Sequence, residues 1–363
     1  MADLHRIFSK ILVLDDDPTG SQTVYDMPVY THFDLDDLLS AHRDESRTVY
    51  VLTNSRSLHK KETEELHRHL IQNWMSVDSI ADDPGGETLV ISRGDSTLRE
   101  HYPLETDTVK DTLASGIGAT ILVPAFPEGG RFTMDDIHYV REDHLLVPAA
   151  ETEFSRDSSF GYTSSNLRHY VEEKTGGAVR AADVVSIGLD SLQAGDIDGI
   201  ARKLADAPKK GAVVVNAVDY NDLKVFTVAF ARTAGSGQRF VFRSAASLVK
   251  VFAGLDDKAL LKHNDMFAGT SAVGGPGILA AGSYVGKTTR LLASLVNQGI
   301  LVEVNLNIRT ALHADAFPAE VRRAGLEAEE HMKEGRSVCL YTTNAGRREF
   351  LSADESDEDL SDL

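Results

Sequence analysis

Short apolar runs rich in β-branched residues recur along the chain, separated by stretches whose apolar residues fall every three or four positions. The runs predict strands over 11–15, 49–54, 88–93, 120–126, 184–189, 212–218, 239–243, 277–282, 301–306 and 337–343. Between them, Leu66, Leu70, Ile71 and Trp74 share one helical face, as do Ile197, Ile200, Ala201 and Leu204. A further helix from Thr288 carries Leu291, Leu292, Leu295 and Val296 and stops at Gly299. The strands are apolar throughout rather than at alternate positions, so both their faces are buried. With helices between them they predict an α/β protein of two domains, each with a mostly parallel sheet covered by helices.

Length and composition refine the division. A chain of 363 residues exceeds one ordinary core. Turn-forming residues crowd 264–277, among them Gly-Gly-Pro-Gly at 274–277. The expected organisation is a domain over 1–255, a linker over 256–276, a second domain over 277–350 and an acidic, disordered tail over 351–363. The net charge of −19 argues against nucleic acid as a partner. The single cysteine, Cys339, excludes an internal disulfide framework and fits a reducing compartment. With no signal-peptide pattern at the start and no apolar run of membrane-spanning length, the expected location is cytoplasmic, with no membrane partner. No His-Glu-x-x-His or Cys-His cluster points to a zinc site. His67 and His69 read as solvated, while His138 and His144 follow the Gly-Gly-Arg turn, where they could line a pocket, and read first as surface or helix-end residues.

Chemistry concentrates where four strands of the first domain end. The first delivers Asp15, Asp16 and Asp17, and the second Thr53, Asn54, Ser55 and Arg56. The third delivers Arg93, Gly94, Asp95, Ser96, Thr97 and Arg99, and the fourth Glu128, Gly129, Gly130 and Arg131. In a parallel sheet such ends meet at one rim. Guanidinium forks bind carboxylates, while aspartates and hydroxyls bind sugar hydroxyls, so a polyhydroxy carboxylic acid suits both halves of the set.

Four segments, Asp-Asp-Pro-Thr-Gly (16–20), Asn-Ser-Arg (54–56), Arg-Gly-Asp-Ser-Thr-Leu-Arg (93–99) and Pro-Ala-Phe-Pro-Glu-Gly-Gly-Arg (124–131), resemble the signatures of the four-carbon acid sugar kinase family. The resemblance spans roughly residues 10–345. It implies an acid-sugar-binding first domain, a nucleotide-binding second domain, and ATP-dependent phosphorylation of threonate, erythronate or an oxo-tetronate. On that reading Asp16 or Asp17 is the catalytic base. Arg56, Arg93 and Arg99 hold the substrate carboxylate, Asp95 holds a hydroxyl, and Thr19, Ser55, Ser96, Thr97 and Arg131 complete the substrate pocket. Ala-Gly-Ser-Tyr-Val-Gly-Lys-Thr-Thr (281–289) resembles the family's Gly-Ser motif, which assigns Gly282, Ser283 and Thr288 to ATP. Mg²⁺ would arrive with the nucleotide, so no protein metal site is expected. Two departures stand out: Glu100 replaces a common glycine, and the chain ends before the family's Gly-Gly-x-Thr-Ser segment. The second domain is therefore expected to be partial, with exposed apolar surface that favours a homo-oligomer.

Three other readings compete. Gly286-Lys287-Thr288 is the end of a P-loop whose first glycine is replaced by Ala281. Asp15-x-Asp17-x-Thr19 mimics the nucleophile motif of haloacid-dehalogenase-like phosphohydrolases. The third is a catalytically impaired protein that keeps an acid-sugar-binding or interaction role.

Overall fold

The structure, a computed structural model, describes residues 4–80, 87–113, 116–262, 265–266, 275–282, 286–313 and 315–342. The chain divides into two compact units, Met1–Asp256 and Asp257–Leu363. Part of the expected linker, and all of the expected acidic tail, lie outside the described residues.

In the first unit, eight strands are β1 (Phe8–Asp15), β2 (Val29–Tyr30), β3 (Thr48–Leu52), β4 (Glu87–Arg93), β5 (Ile117–Val123), and, after three strands placed elsewhere, β9 (Val185–Ile187), β10 (Ala212–Val215) and β11 (Arg239–Ser244). They form one sheet in the order β2-β3-β1-β4-β11-β5-β10-β9, with every neighbouring pair parallel. Alternate side chains feed two cores. Ile11, Val13, Tyr50, Ile91 and Phe242 pack with Phe226, Phe230 and Phe252 of the helices Tyr220–Ala234 and Ala246–Ala253. Leu12, Leu14, Val49, Val51, Val90 and Val241 pack with Leu38, Leu70, Ile71, Trp74 and Val109 of the helices Leu35–Arg43, Lys60–Ile80 and Leu104–Thr112. Burial on both faces is why these strands read as continuous apolar runs.

Three intervening strands, β6 (Arg131–Met134), β7 (Ile137–Glu142) and β8 (Leu145–Pro148), form a small antiparallel sheet that the apolar runs did not reveal. Its first hairpin turns on Asp135 and Asp136, both at positive φ (50° and 63°), the geometry of a two-residue primed turn. Burial also corrects two histidine readings. His67 is enclosed on its helix, with Nδ1 2.8 Å from the Thr63 carbonyl. His138 is fully buried on β7 between Thr133 Oγ1 and the Ser96 carbonyl.

The second unit carries β12 (Ile278–Ala281), β13 (Leu301–Leu306) and β14 (Ser337–Thr342), all parallel in the order β12-β14-β13. Val304 and Val338 meet Ala324 and Ala328 of the helix Phe317–Lys333 in its core. Cys339 is buried in β14. Each unit is thus an α/β layer structure built on a parallel sheet. Among the described residues no helix is long and apolar enough to cross a membrane.

Candidate functional site

Register brings the polar strand ends together. Asp15 stands level with Leu52 of β3 and Arg93 of β4, Arg93 with Ser244 of β11, and Ser244 with Val123 of β5. Everything that follows these residues therefore opens on one rim, the carboxyl edge where α/β sheets bind ligands. Backbone hydrogen bonds tie the rim together: Asp16 N–H donates to the Arg93 carbonyl, Arg56 N–H to the Asp16 carbonyl and Gly94 N–H to the Ser244 carbonyl.

Asp16 is the hub. It is 2% exposed. Arg56 grips it with two nitrogens, Nη2 at 2.8 Å from Oδ1 and Nε at 3.2 Å from Oδ2, a bidentate fork. Arg93 Nη1 approaches from the face shared with Asp15, at 3.1, 3.3 and 3.4 Å from oxygens of Asp15, Asp16 and Asp17. Arg243 Nη2 approaches from the opposite face, at 3.6 Å. Arg56 Nη1 also pairs with Asp17.

Local backbone explains why these residue types stand where they do. Asn54 adopts a left-handed conformation (φ 50°), which asparagine tolerates, and so turns the chain into the short 3₁₀ segment Ser55–Ser57 that presents Arg56. Leu98 also has positive φ (67°), uncommon for a bulky side chain, in the turn that aims Arg99 back at Asp95. Arg99 Nε lies 2.8 Å from Asp95 Oδ2, and Thr97 Oγ1 donates to the same oxygen. The guanidinium groups of Arg99 and Arg131 lie over one ring, Phe154, at 4.9 and 5.7 Å from its centroid.

Electrostatics separate the acids. Burial pushes the Asp15 carboxyl up to about 7 despite Arg93. Burial also pushes Asp16 up, against the pull of Arg56, Arg243 and Arg93. Asp17 is desolvated too, but Arg56 and the hydrogen bonds from Thr19 hold its carboxyl below the usual range. Asp95 is likewise held low against burial, by Arg99 and Arg56. Arg131 is shifted down by burial and by the like charge of Arg99, opposed by Asp95.

The predicted residues therefore fall into two layers. Asp17, Thr19, Arg56, Asp95, Arg99 and Arg131 are exposed or partly exposed, with Asp17 and Arg56 side chains at 17% and 20%. Asp16, Ser55, Arg93, Ser96 and Thr97 are buried beneath them. Ser55 Oγ donates to Glu105, the Ser96 carbonyl accepts from His138, and Thr97's carbonyl accepts from Tyr162, so these three serve the frame of the rim. Arg93 is placed as the counter-ion of three aspartates rather than on the open face. Asp15, beneath Gly20 and 2% exposed, is not placed as a nucleophile of the phosphohydrolase type.

In the second unit Gly282 follows β12 and Thr288 lies in the helix Gly286–Val296. Ser283 lies outside the described residues.

Sequence reasoning missed Arg243 and Glu105. The available signal was Phe-Arg-Ser at 242–244, a strand that ends in a charge and a hydroxyl much as Ile-Ser-Arg does at 91–93. What hid it is topology: β11 comes last in its unit yet lies between β4 and β5.

The family described as a sugar-binding N-terminal domain matches residues 11–252, the stretch that holds every rim residue described above. No curated protein matches the chain. Among solved structures, a domain of unknown function from Bordetella bronchiseptica, crystallised with bound citrate as a domain-swapped dimer, has a TM-score of 0.50 at 21% identity, covering 95% of this chain and 76% of that one. A second crystal form of that protein gives 0.51 at 19%, covering 97% and 78%. A protein from Salmonella typhimurium, provisionally called a tRNA synthase, gives 0.55 at 16%, covering 94% and 79%. At such identities these likenesses concern the fold.

Proposed function

The chain belongs to the sugar-binding N-terminal domain family, and on that premise we propose that its rim binds a four-carbon acid sugar, which the protein phosphorylates with ATP. The observation that carries this reading is the run of alternating charge across the open layer: Asp17 and Arg56, then Asp95, then Arg99 and Arg131. Arg99 pairs with Asp95, Arg131 feels Asp95 and Glu142 against the like charge of Arg99, and both guanidiniums lie over one aromatic face. A substrate carboxylate placed against them would offset the repulsion between the two guanidiniums. Arg93 does not suit that role, because its Nη1 is already directed at Asp15, Asp16 and Asp17. The citrate bound by the Bordetella protein, itself a hydroxy carboxylate, supports the class of ligand.

A hydroxyl of the same molecule would reach Asp17 and Thr19. Phosphoryl transfer asks the protein mainly for positioning and charge neutralisation. Asp17 is ionised at neutral pH, open to solvent and fixed by Arg56, so it is the carboxylate that would take the hydroxyl proton. Asp16, enclosed by three guanidiniums, is better suited to orient Arg56 than to exchange a proton with substrate.

ATP would supply the phosphoryl group, and the N-terminal end of the helix that contains Thr288 suits a phosphate group in the second unit. Oxygens of Asp15, Asp16 and Asp17 lie within 4.8 Å of one another, but Arg56 and Arg93 already provide their counter-charge. Mg²⁺ is accordingly assigned to the nucleotide and not to this cluster.

The test is a coupled ATP-consumption assay over threonate, erythronate and oxo-tetronate stereoisomers, paired with calorimetric titration of each acid. Turnover of at least one acid supports the kinase reading. Binding without turnover of any would make this a binding protein, and neither binding nor turnover would remove the acid-sugar assignment.

A further inference from the structure

Arg243 belongs to none of the segments that suggested the chemistry, yet it joins three of them from below. It is 3% exposed at the end of β11. Nη2 lies 2.5 Å from Glu100 Oε2 and 3.6 Å from Asp16 Oδ2, while Nη1 donates to Ser92 Oγ at 2.6 Å and pairs with Glu105. The other oxygen of Glu105 accepts from Ser55 Oγ at 2.5 Å, and Ser55 immediately precedes Arg56. Arg243 thus reaches the two partners of the Asp16–Arg56 fork by separate routes, directly at Asp16 and through Glu105 and Ser55 at Arg56.

Two further features show that the sequence around it is fitted to this guanidinium. A Cβ at Gly94 would fall well inside contact distance of Arg243 Nη2 and of Glu100 Oε2, so only glycine leaves room for the pair beneath the β4 turn. Glu100, the residue that departs from the resembled motif, is one of the three carboxyl groups that Arg243 meets.

We propose that Arg243 is a positioning residue: it never meets the ligand, but sets the Asp16–Arg56 fork, and through it Asp17, in the geometry the reaction needs. The inference rests on the proposed acid-sugar kinase reading for its kinetic consequence only. The charged groups around the fork are Asp15, Asp17 and Arg93 on one side, Asp95 beside Arg56, and Glu100, Glu105 and Arg243 on the other, with His67 Nε2 3.9 Å from Glu105 and His101 also beside it. Removing the Arg243 charge takes away one of the three cations that oppose burial at Asp16, so the acid limb of the activity profile should move to higher pH.

The experiment compares full-length protein with Arg243→Lys, Arg243→Met and Gly94→Ala. The expected result is a fall in kcat of tenfold or more in Arg243→Met with KM for the acid sugar changed less than threefold, partial recovery of kcat in Arg243→Lys, and an acid limb displaced upward in Arg243→Met. Gly94→Ala, which leaves Arg243 in the chain but displaces it, should lower kcat in the same way. A wild-type kcat and pH profile in Arg243→Met would overturn the proposal, as would a change in KM alone. Should Arg243→Met fail to fold, Arg243→Lys and Gly94→Ala decide by the same criteria. Should the wild type turn over no acid sugar, deuterium exchange at Thr53–Leu58 becomes the readout. Faster exchange there in Gly94→Ala would sustain the positioning role while the kinase reading fails, and unchanged exchange would overturn the role as well.

Discussion

Gly20 lies directly against the carboxylate of Asp15: a Cβ added at Gly20 would fall inside contact distance of both Asp15 oxygens. The glycine that closes Asp-Asp-Pro-Thr-Gly is therefore a matter of space, since Gly20 is not at positive φ. Asp15 is fixed in turn by Arg93 at 3.1 Å and cannot simply swing aside. Gly20→Ala is expected to destabilise the protein by about 1–3 kcal/mol through overpacking, and to weaken acid-sugar binding as the 16–20 turn lifts. Urea denaturation and calorimetric titration check the two effects.

The paired aspartates should respond differently to the same substitution. Asp16→Asn removes the anion shared by Arg56, Arg93 and Arg243 and breaks the bidentate fork on Arg56, although each of the three cations keeps another carboxylate. Losing a hydrogen bond to a charged group costs about 1.5–3 kcal/mol, so this variant should lose stability along with activity. Asp17→Asn alters a partly exposed carboxylate. It should unfold within a few degrees of the wild type yet lose phosphoryl transfer. Thermal unfolding measured beside ATP consumption separates the two. A stable, inactive Asp16→Asn would return the proton-accepting role to Asp16.

The contrast between these aspartates marks how far the sequence could be read. Apolar runs ending in charge were enough to place Asp15–Asp17, Arg56, Arg93 and Asp95 on one sheet edge, because a parallel sheet leaves them no other place. Depth was not legible. Asp16 and Asp17 are neighbours of one residue type, yet Asp16, met also by Arg243 from a strand far along the chain, is buried, while Asp17, paired with Arg56 and Arg93, stays partly exposed. His67 and His138 were misjudged for a related reason. Each has a hydrogen-bonding partner, the Thr63 or the Ser96 carbonyl, that is a backbone group no side-chain pattern reveals. The β6–β8 sheet escaped because its strands are half-buried and short, although Asp-Asp between alternating residues was a usable turn signal.

Acid titration should expose the surplus of buried carboxylates. Asp15, Asp16, Asp17, Glu100 and Glu105 share three guanidiniums, those of Arg56, Arg93 and Arg243, so the carboxyl groups outnumber their cations by two. Burial pushes Glu100 up to about 7. The folded state then holds a proton that the unfolded chain releases near its ordinary value, so this stabilisation is full at low pH and is lost as pH rises toward 7. His138 works the other way. Burial pushes its imidazole down to about 4, and the stability it confers is lost as pH falls below the ordinary histidine range toward that value. Glu100→Gln should make the slope of unfolding free energy between pH 5 and 7 more positive, by up to about 1.4 kcal/mol per pH unit for one proton. Denaturant melts at four pH values measure it, and an unaltered slope would show that Glu100 is ionised throughout.

The anion end of the pocket provides the most direct test of the ligand class. Arg131 sits partly buried beside Arg99 over Phe154, with burial and the neighbouring charge both acting against its own ionisation. A carboxylate placed there would relieve that repulsion, so the contact should be worth more than a surface ion pair, about 1.5–3 kcal/mol for a charge-assisted hydrogen bond. Arg131→Ala is therefore expected to weaken acid-sugar binding roughly 10- to 100-fold and to leave ATP affinity unchanged. Substrate analogues sharpen the inference: replacing the carboxylate of threonate by an amide should weaken binding to the wild type by a similar factor and have little further effect on Arg131→Ala. Titration calorimetry on the four combinations gives the coupling directly. If the two losses simply add, the carboxylate binds elsewhere on the rim.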